Sequence, residues 1–471
     1  MSDRVQYGSG TGRAILAAAV LGSGMAFLDG TVVNVALRRI GTDLDASLAQ
    51  LQWISNGYLL TLASLILLGG SLGDRYGRRR VFVVGVIGFT AASLLCAVAQ
   101  DPTQLIAARA LQGIGAALLT PGSLSMIQGA FRPADRSRAI GAWSGLGGIT
   151  TALGPFLGGW LVEYASWRWV FLINLPIALV TVLIAVRWVP VTRDPQSAHH
   201  FDLLGAALGV MGLGGLTFAL IEAGTMAAPV VIGAAVVGAA ALIAFVVAER
   251  EESQPMVPLE MFGSRQFSAA NAMTLLVYAA LGAMLFFLVL QLQTVVGYGP
   301  LQAGIATLPV TVVMLLLAAR GGALAARIGP RLPMSLGPVV CALGIALLAG
   351  LGSGSSYWLG VFPGVTVFAL GLALLVAPLT ATVLAAAPDR HAGIASGVNN
   401  AVARAGSLLA VAALPVAVGL HGDDYDNPAV FGVGYQHAMW VCVVLLVLGG
   451  TVSYALIRNP SLATASATLD G

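Results

Sequence analysis

Uncharged, apolar runs about twenty residues long recur along nearly the whole 471-residue chain. As an α-helix, each is long enough to cross the roughly 30 Å hydrocarbon layer of a bilayer. Inside that layer every backbone amide must find its partner within the protein, so a spanning chain is either helical or a closed barrel. A barrel needs alternating segments of about ten residues, and these are missing. The chain reads as an all-α, polytopic membrane protein. Its 9% of charged residues, against roughly 25% in a soluble domain, is too few to solvate a globular surface of this size.

Fourteen spans are predicted, starting near Ala14, Trp53, Val81, Gln104, Ala139, Trp169, Leu203, Pro229, Ala269, Gln302, Pro333, Tyr357, Ala392 and Tyr435. The first run is too long for a signal-peptide core and has no clear cleavage site, so it reads as a retained helix. Arginine orients the set, because basic residues concentrate in cytoplasmic loops. With the N-terminus inside, the inner loops hold Arg75, Arg78, Arg79, Arg80, Arg132, Arg136, Arg138, Arg187, Arg193, Arg250, Arg265, Arg327, Arg331 and Arg390, while the outer loops hold only Arg38, Arg39 and Arg168. Both termini are expected in the cytoplasm, with Arg38 and Arg39 as the exception to the rule. The net charge of +3 resides in loops and does not suggest nucleic-acid binding. Cys96, Cys341 and Cys442 fall in apolar runs and read as small buried hydrophobes. The histidines, including the adjacent His199 and His200, form no ligand spacing, so no metal is expected.

The chain also repeats itself. "GSLGDRYGRRR" (Gly70 to Arg80) matches "GGALAARIGPR" (Gly321 to Arg331), with Gly70, Leu72, Arg75, Gly77 and Arg79 aligned to Gly322, Leu324, Arg327, Gly329 and Arg331, 252 residues on. A second echo pairs "PADRSRAIGAWSG" (from Pro133) with "APDRHAGIASG" (from Ala387). Six helices and their loops need only about 180 residues, so this offset leaves room for two more. The expected organisation is a six-helix bundle in 1–190, two inserted helices with linkers in 191–265, and a second six-helix bundle with a tail in 266–471. Repeated halves are a common plan of secondary transporters, with the substrate held between them near the midplane.

The polar residues inside the spans carry the functional signal. Asp29 lies about 15 residues into the first span, about 22 Å from its inner end. Arg109, on the inward-running fourth span, lies about 9 Å below the outer surface. The two charges sit at matching depth, where an unpaired charge is costly, so they are expected to share a hydrated cavity or a polar network. A static structural pair and a proton-coupling pair both satisfy that depth; coupling is favoured, with Asn34 completing the cluster. Asn56, Gln112, Asn400 and Arg404 are candidates for the wall of a substrate cavity. Asn400 and Arg404 share one helix face at four-residue spacing. Trp53, Tyr58, Asn271, Tyr278, Gln291 and Gln293 are further candidates.

Four motifs give these features a family context. "LDGTVVNVAL" (Leu28 to Leu37), "GSLGDRYGRRR", "RALQGIGAA" (Arg109 to Ala117) and "GLGGITTALGPFLGGWL" (Gly145 to Leu161) follow in order on the first, second-to-third, fourth and fifth spans. Together they resemble the major facilitator superfamily, and within it the fourteen-helix drug:proton antiporters of the EmrB/QacA type. The chain departs from that pattern at Arg38, where a proline usually follows "NVAL". The resemblance implies a major facilitator fold with two extra central helices. It also implies that Gly70, Asp74, Arg75, Gly77 and Arg78 form a gating loop in which Asp74 helps latch the halves on the cytoplasmic side. Gly145, Gly154, Pro155, Gly158 and Gly159 belong to its fifth-helix antiporter motif. By physics alone, the pairs Gly141/Gly145 and Gly154/Gly158 let helices approach closely, and Pro155 permits a bend.

The leading expectation is proton-driven export of amphipathic or drug-like small molecules across the cell membrane. The alternative is a dedicated exporter of one metabolite, such as an antibiotic, an amino acid or a siderophore. Proton-symport uptake would keep the fold, but the fifth-helix motif speaks against it. An enzyme would need clustered nucleophiles, metal ligands or a nucleotide loop, and none appears. No cofactor is expected beyond the proton gradient, and a monomer is the expected form. Because Asp29 is the one acid well inside a span, the substrate is expected to be neutral or a monovalent cation.

Overall fold

The computed structural model describes residues 5–193, 202–252, 255–387 and 392–459. His199, His200 and Arg390 lie outside them, as does part of the second echo. Among the described residues fourteen helices are long and apolar enough to span a membrane. They are α1 (Gly10–Leu44), α2 (Leu48–Tyr76), α3 (Arg78–Val98), α4 (Pro102–Ala130), α5 (Pro133–Tyr164), α6 (Trp169–Trp188), α7 (Leu203–Gly224), α8 (Ala228–Glu251), α9 (Arg265–Thr294), α10 (Pro300–Ile328), α11 (Arg331–Leu348), α12 (Tyr357–Ala385), α13 (Gly393–Ala417) and α14 (Pro428–Leu456). No strand occurs among the described residues; Val5 and Phe131 form an isolated bridge.

Local chemistry sets the helix ends. Ser47 caps α2 reciprocally with Gln50, Asp101 caps α4 ahead of Pro102, and Asn427 caps α14 ahead of Pro428; each cap satisfies amides that the first turn leaves free. Prolines also interrupt. α6 breaks for one residue at Ile173, just before Pro176, and α10 breaks at Thr307, just before Pro309, because the ring lacks an N–H and crowds the preceding turn.

Helices α1 to α6 pack on one another, as do α9 to α14. The inserted pair α7 and α8 pack together through Gly212, Gly215 and Gly238, with Gly238 against the Leu216 amide at the contact. α7 lies against both α2 and α13, at the seam between the halves. The sequence repeat is also a structural one. Gly69 of α2 leaves no room for a Cβ against the Ala117 carbonyl of α4, and Gly321 of α10 does the same against the Ala373 carbonyl of α12. Gly77 and Gly329, each closing the following turn, both take a positive φ, at 107° and 86°. These pairs keep the offset of the repeat.

The halves meet firmly at one end, the end with the α1–α2 and α13–α14 connections. There Gln52 Nε2 donates to the Val411 and Ala412 carbonyls at 2.7 and 3.0 Å. Gln293 Nε2 donates to the Val35 carbonyl at 3.0 Å, the Leu48 amide to the Gly422 carbonyl at 2.8 Å, and Tyr425 Oη to the Ala46 carbonyl at 2.8 Å. Arg38 Nη1 donates to the Gln293 carbonyl at 2.5 Å. The basic residue that breaks the motif and the charge rule thus ties α1 to α9. At the opposite end, Gly141, Gly145 and Gly148 of α5 face open space.

Candidate functional site: a buried ion pair beside a central cavity

The site is built from α1 outward. Asp29 is 1% exposed and Arg109 2%. Arg109 Nη1 lies 2.5 Å from Asp29 Oδ2, so the matching depth inferred from the sequence resolves into a direct ion pair. Gln112, one turn further along α4, completes it: its Nε2 donates to Asp29 Oδ1 at 2.8 Å and to Ser93 Oγ of α3 at 2.8 Å. Its Oε1 accepts from Arg109 Nη1 at 2.5 Å and faces the Cys96 thiol at 3.7 Å. Arg109 Nε donates to the Ile54 carbonyl of α2 at 3.1 Å, and its guanidinium lies 4.4 Å from the centre of the Tyr58 ring. Asn174 Nδ2 of α6 reaches Ser93 Oγ at 3.2 Å. One network therefore joins α1, α2, α3, α4 and α6. Both oxygens of Asp29 are engaged, as a buried carboxylate requires.

Gln112 was expected at the cavity wall and lies instead in this network, fully buried. Asn34 was expected in the network and lies instead on the cavity wall, its amide turned back to the Gly30 carbonyl at 3.4 Å. Asn56 is buried off the cavity, with neither amide atom partnered among the described residues. Ser93, Cys96 and Asn174 were missed; a polar residue in an apolar helix was their one sequence signal, and they carry no charge to draw attention.

A cavity of about 410 Å³ opens beside the pair, between the halves. α1 contributes Phe27, Gly30 and Asn34, α2 contributes Tyr58, α9 contributes Tyr278 and Leu285, and α13 contributes Asn399, Asn400 and Arg404. Asn399 Nδ2 donates to Thr274 Oγ1 at 2.7 Å and Asn271 Oδ1 at 3.1 Å, which fixes α13 on α9. Asn400 and Arg404 line the cavity together, as their spacing predicts.

The antiporter-motif glycines divide in two. Gly154 and Gly158 lie against Thr31 and Val32, immediately after Asp29 on α1. On Gly159 a Cβ would come 2.6 Å from the Pro300 carbonyl of the other half, and Gly304 sits under the Pro155 carbonyl. Gly145, expected to pack, does not: a Cβ there would meet nothing within 4 Å. The expected gating loop is a single residue: Gly70, Asp74 and Arg75 lie in the last turns of α2, Arg78 opens α3, and Gly77 alone joins them; Asp74 Oδ1 pairs with Arg78 Nε at 2.8 Å. Arg78 Nη1 also donates to the Ser125 carbonyl of α4 at 3.1 Å. Gly77 closes α2, donating to the Gly73 carbonyl at 3.0 Å, and Arg75 lies over the Tyr76 ring, 5.6 Å from its centre. Gly70 meets Pro121 at ordinary distance; the close contact falls on its neighbour Gly69.

Two helical halves, a central cavity closed at one end and a buried acid–base pair at its wall define a membrane transporter of the alternating-access class. The family model of the Major Facilitator Superfamily matches residues 19–411, and the chain belongs to that family of secondary transporters. It is 35% identical over 459 residues to the methylenomycin A resistance protein of Bacillus subtilis (strain 168), covering 94% of this chain and 97% of that one. It is 35% identical over 449 residues to the puromycin resistance protein of Streptomyces alboniger, covering 92% and 88%. It is 38% identical over 405 residues to a probable actinorhodin transporter of Streptomyces coelicolor, covering 83% and 69%. The fold is similar to that of a bacterial homolog to the human lysosomal transporter Spinster, a structure in an inward-facing, unoccupied conformation, with a TM-score of 0.66 at 17% identity, covering 95% of this chain and 97% of that one.

Proposed function

We propose that this protein exports amphipathic, drug-like small molecules across the cytoplasmic membrane in exchange for protons. The observation that carries the reading is the Asp29–Arg109–Gln112 network, sealed in the wall of a cavity that is closed at one end. With both termini cytoplasmic, as the arginine distribution predicts, the closed end is external and this form faces inward.

Asp29 shares α1 with the external seal. Val35 and Arg38, which bind Gln293, lie about 9 and 13 Å further along the helix. A proton on Asp29 removes one charge of the pair and weakens its hold on Arg109, hence on the Ile54 carbonyl of α2. The seal then loses its registration through α1 and α2, and the outward form becomes accessible. Proton binding outside and release inside would drive this cycle. In the opposite form we place Asp74 and Gly145 at the closing contact; in this form Asp74 is held in its own half by Arg78.

The neutral-or-cationic expectation for the cargo depended on Asp29 being free to receive it. Both of its oxygens are occupied, which removes that basis. Export of one metabolite remains a second reading, favoured by relatives that carry the names of single antibiotics.

The test is accumulation of a drug and dye panel in an efflux-deficient host, with and without a protonophore. Protonophore-sensitive efflux of several unrelated compounds supports the first reading, and efflux of one alone the second. Efflux that ignores the protonophore contradicts proton coupling.

A further inference from the structure

We propose that the cargo is an amphipathic monoanion, and that Arg404 receives its negative charge. The inference rests on the export reading and names the substrate class of its cavity.

Among the described residues lining the cavity there is no carboxylate; the charged ones are Arg109 and Arg404. Arg109 is spent on Asp29, Gln112 and the Ile54 carbonyl. Arg404 is different: no hydrogen bond or ion pair joins it to any described residue. It lies on the cavity face of α13, between Asn400 and Ser407. Ser407 and Asn399 instead anchor that helix to α9, so the face is held firmly while its guanidinium is left without a partner. Tyr58 of α2 and Tyr278 of α9, one on each half, line the same cavity as Arg404.

A guanidinium at membrane depth is costly unless it meets water or a counter-charge. It presents five donors that match a carboxylate or similar oxyanion. The rest of the wall is uncharged, with an apolar part formed by Phe27, Leu59, Leu281, Leu285 and Phe286 and neutral polar groups such as Asn34, Ser55 and Asn400 beside it. An anionic head on a ring system fits both surfaces. A cationic cargo would meet the uncompensated charge of Arg404 and no acceptor charge, because Asp29 is engaged by Arg109. The chemistry therefore points opposite to the expectation drawn from Asp29 alone.

The experiment uses anthracene-9-carboxylate, its neutral amide and anthracen-9-ylmethylammonium, which share one ring system. Binding to the purified full chain in phosphatidylcholine nanodiscs is measured by equilibrium dialysis. The carboxylate is expected to bind about tenfold or more tightly than either analogue, the scale of a charge-assisted hydrogen bond. Arg404→Gln should abolish that preference and Arg404→Lys should retain part of it. Because Arg404 holds no structural partner, both variants should keep the wild-type melting temperature, and this is checked first. Equal or tighter binding of the amide or the ammonium, binding of none of the three, or a preference that survives Arg404→Gln would overturn the proposal. Displacement of the carboxylate by phosphatidylglycerol in the nanodisc would assign the site to a lipid headgroup and also overturn it. Uphill transport of the same compounds in energised vesicles separates the two readings. Carboxylate binding without transport counts against export, and ammonium transport without carboxylate preference counts against the monoanion.

Discussion

At the scale of the residue, Asp29 is legible from sequence because a lone carboxylate in a long apolar run demands an explanation. Its partner Arg109 is legible from depth alone. The rest of the network is not, because Gln112, Ser93 and Asn174 are neutral and their contacts depend on how four other helices turn. The buried pair makes its own prediction. Removing one partner leaves an uncompensated charge, at a cost of about 3–5 kcal/mol. Arg109→Gln should therefore lower the melting temperature in detergent. Combining it with Asp29→Asn should recover most of that loss without restoring transport. Recovery of transport by the double variant would make the pair purely structural. Gln112→Ala leaves Asp29 Oδ1 and Arg109 each short of one partner, so a loss of about 1–3 kcal/mol is expected, read by the same thermal assay.

At the scale of the element, α5 shows what spacing can and cannot tell. Small residues four apart predict close approach, yet only Gly154 and Gly158 make it here, against α1. Gly141 and Gly145 carry the same pattern and meet nothing in this form, because a sequence holds the contacts of every state and a single conformation displays one set. Gly159→Leu should drive a side chain into the Pro300 and Leu301 backbone and open the sealed end. Pulsed-EPR distances between spin labels on α5 and α10 at the sealed end should lengthen by several ångströms, roughly a side chain's reach. A Cβ at Gly145 meets nothing in this form, so Gly145→Leu should change stability by less than about 0.5 kcal/mol, while in the proposed cycle its turnover falls because the end opposite the seal can no longer close. Unchanged turnover would detach Gly145 from the cycle. Arg38 teaches the converse lesson. It breaks both the motif and the charge rule in the sequence, and its reason, the Gln293 carbonyl, lies across the molecule.

For the whole molecule, the fourteen crossings and the repeat were readable because hydrocarbon imposes length and duplication preserves offset. Helix breaks at Ile173 and Thr307, and the seating of α7 between α2 and α13, depend on packing that periodicity does not encode. The seal between the halves includes Tyr425, whose hydroxyl is pushed above its ordinary value near 10, by burial first and then by Asp426 and Asp423. It stays protonated, and so remains a donor to Ala46, as pH falls; this bond is lost only at strongly alkaline pH. Tyr425→Phe should thus loosen the sealed end equally at pH 6 and pH 8, measured as cysteine accessibility near Ala46. A pH-dependent effect would contradict that. A reporter placed after Asp424 should read as external and one after Arg193 as cytoplasmic; the reverse would turn the inward-facing assignment around.

In the proposed cycle Asp29 carries the proton step. The most direct test is transport in everted vesicles with an imposed pH gradient, using the compound that the wild type moves best. Asp29→Asn keeps size and most hydrogen bonding while removing the titratable group. The variant is predicted to catalyse exchange of that compound down its own gradient but not to accumulate it against one. If Asp29→Asn matches the wild type in protonophore-sensitive uphill accumulation, the carboxylate has a structural role only and the account is contradicted.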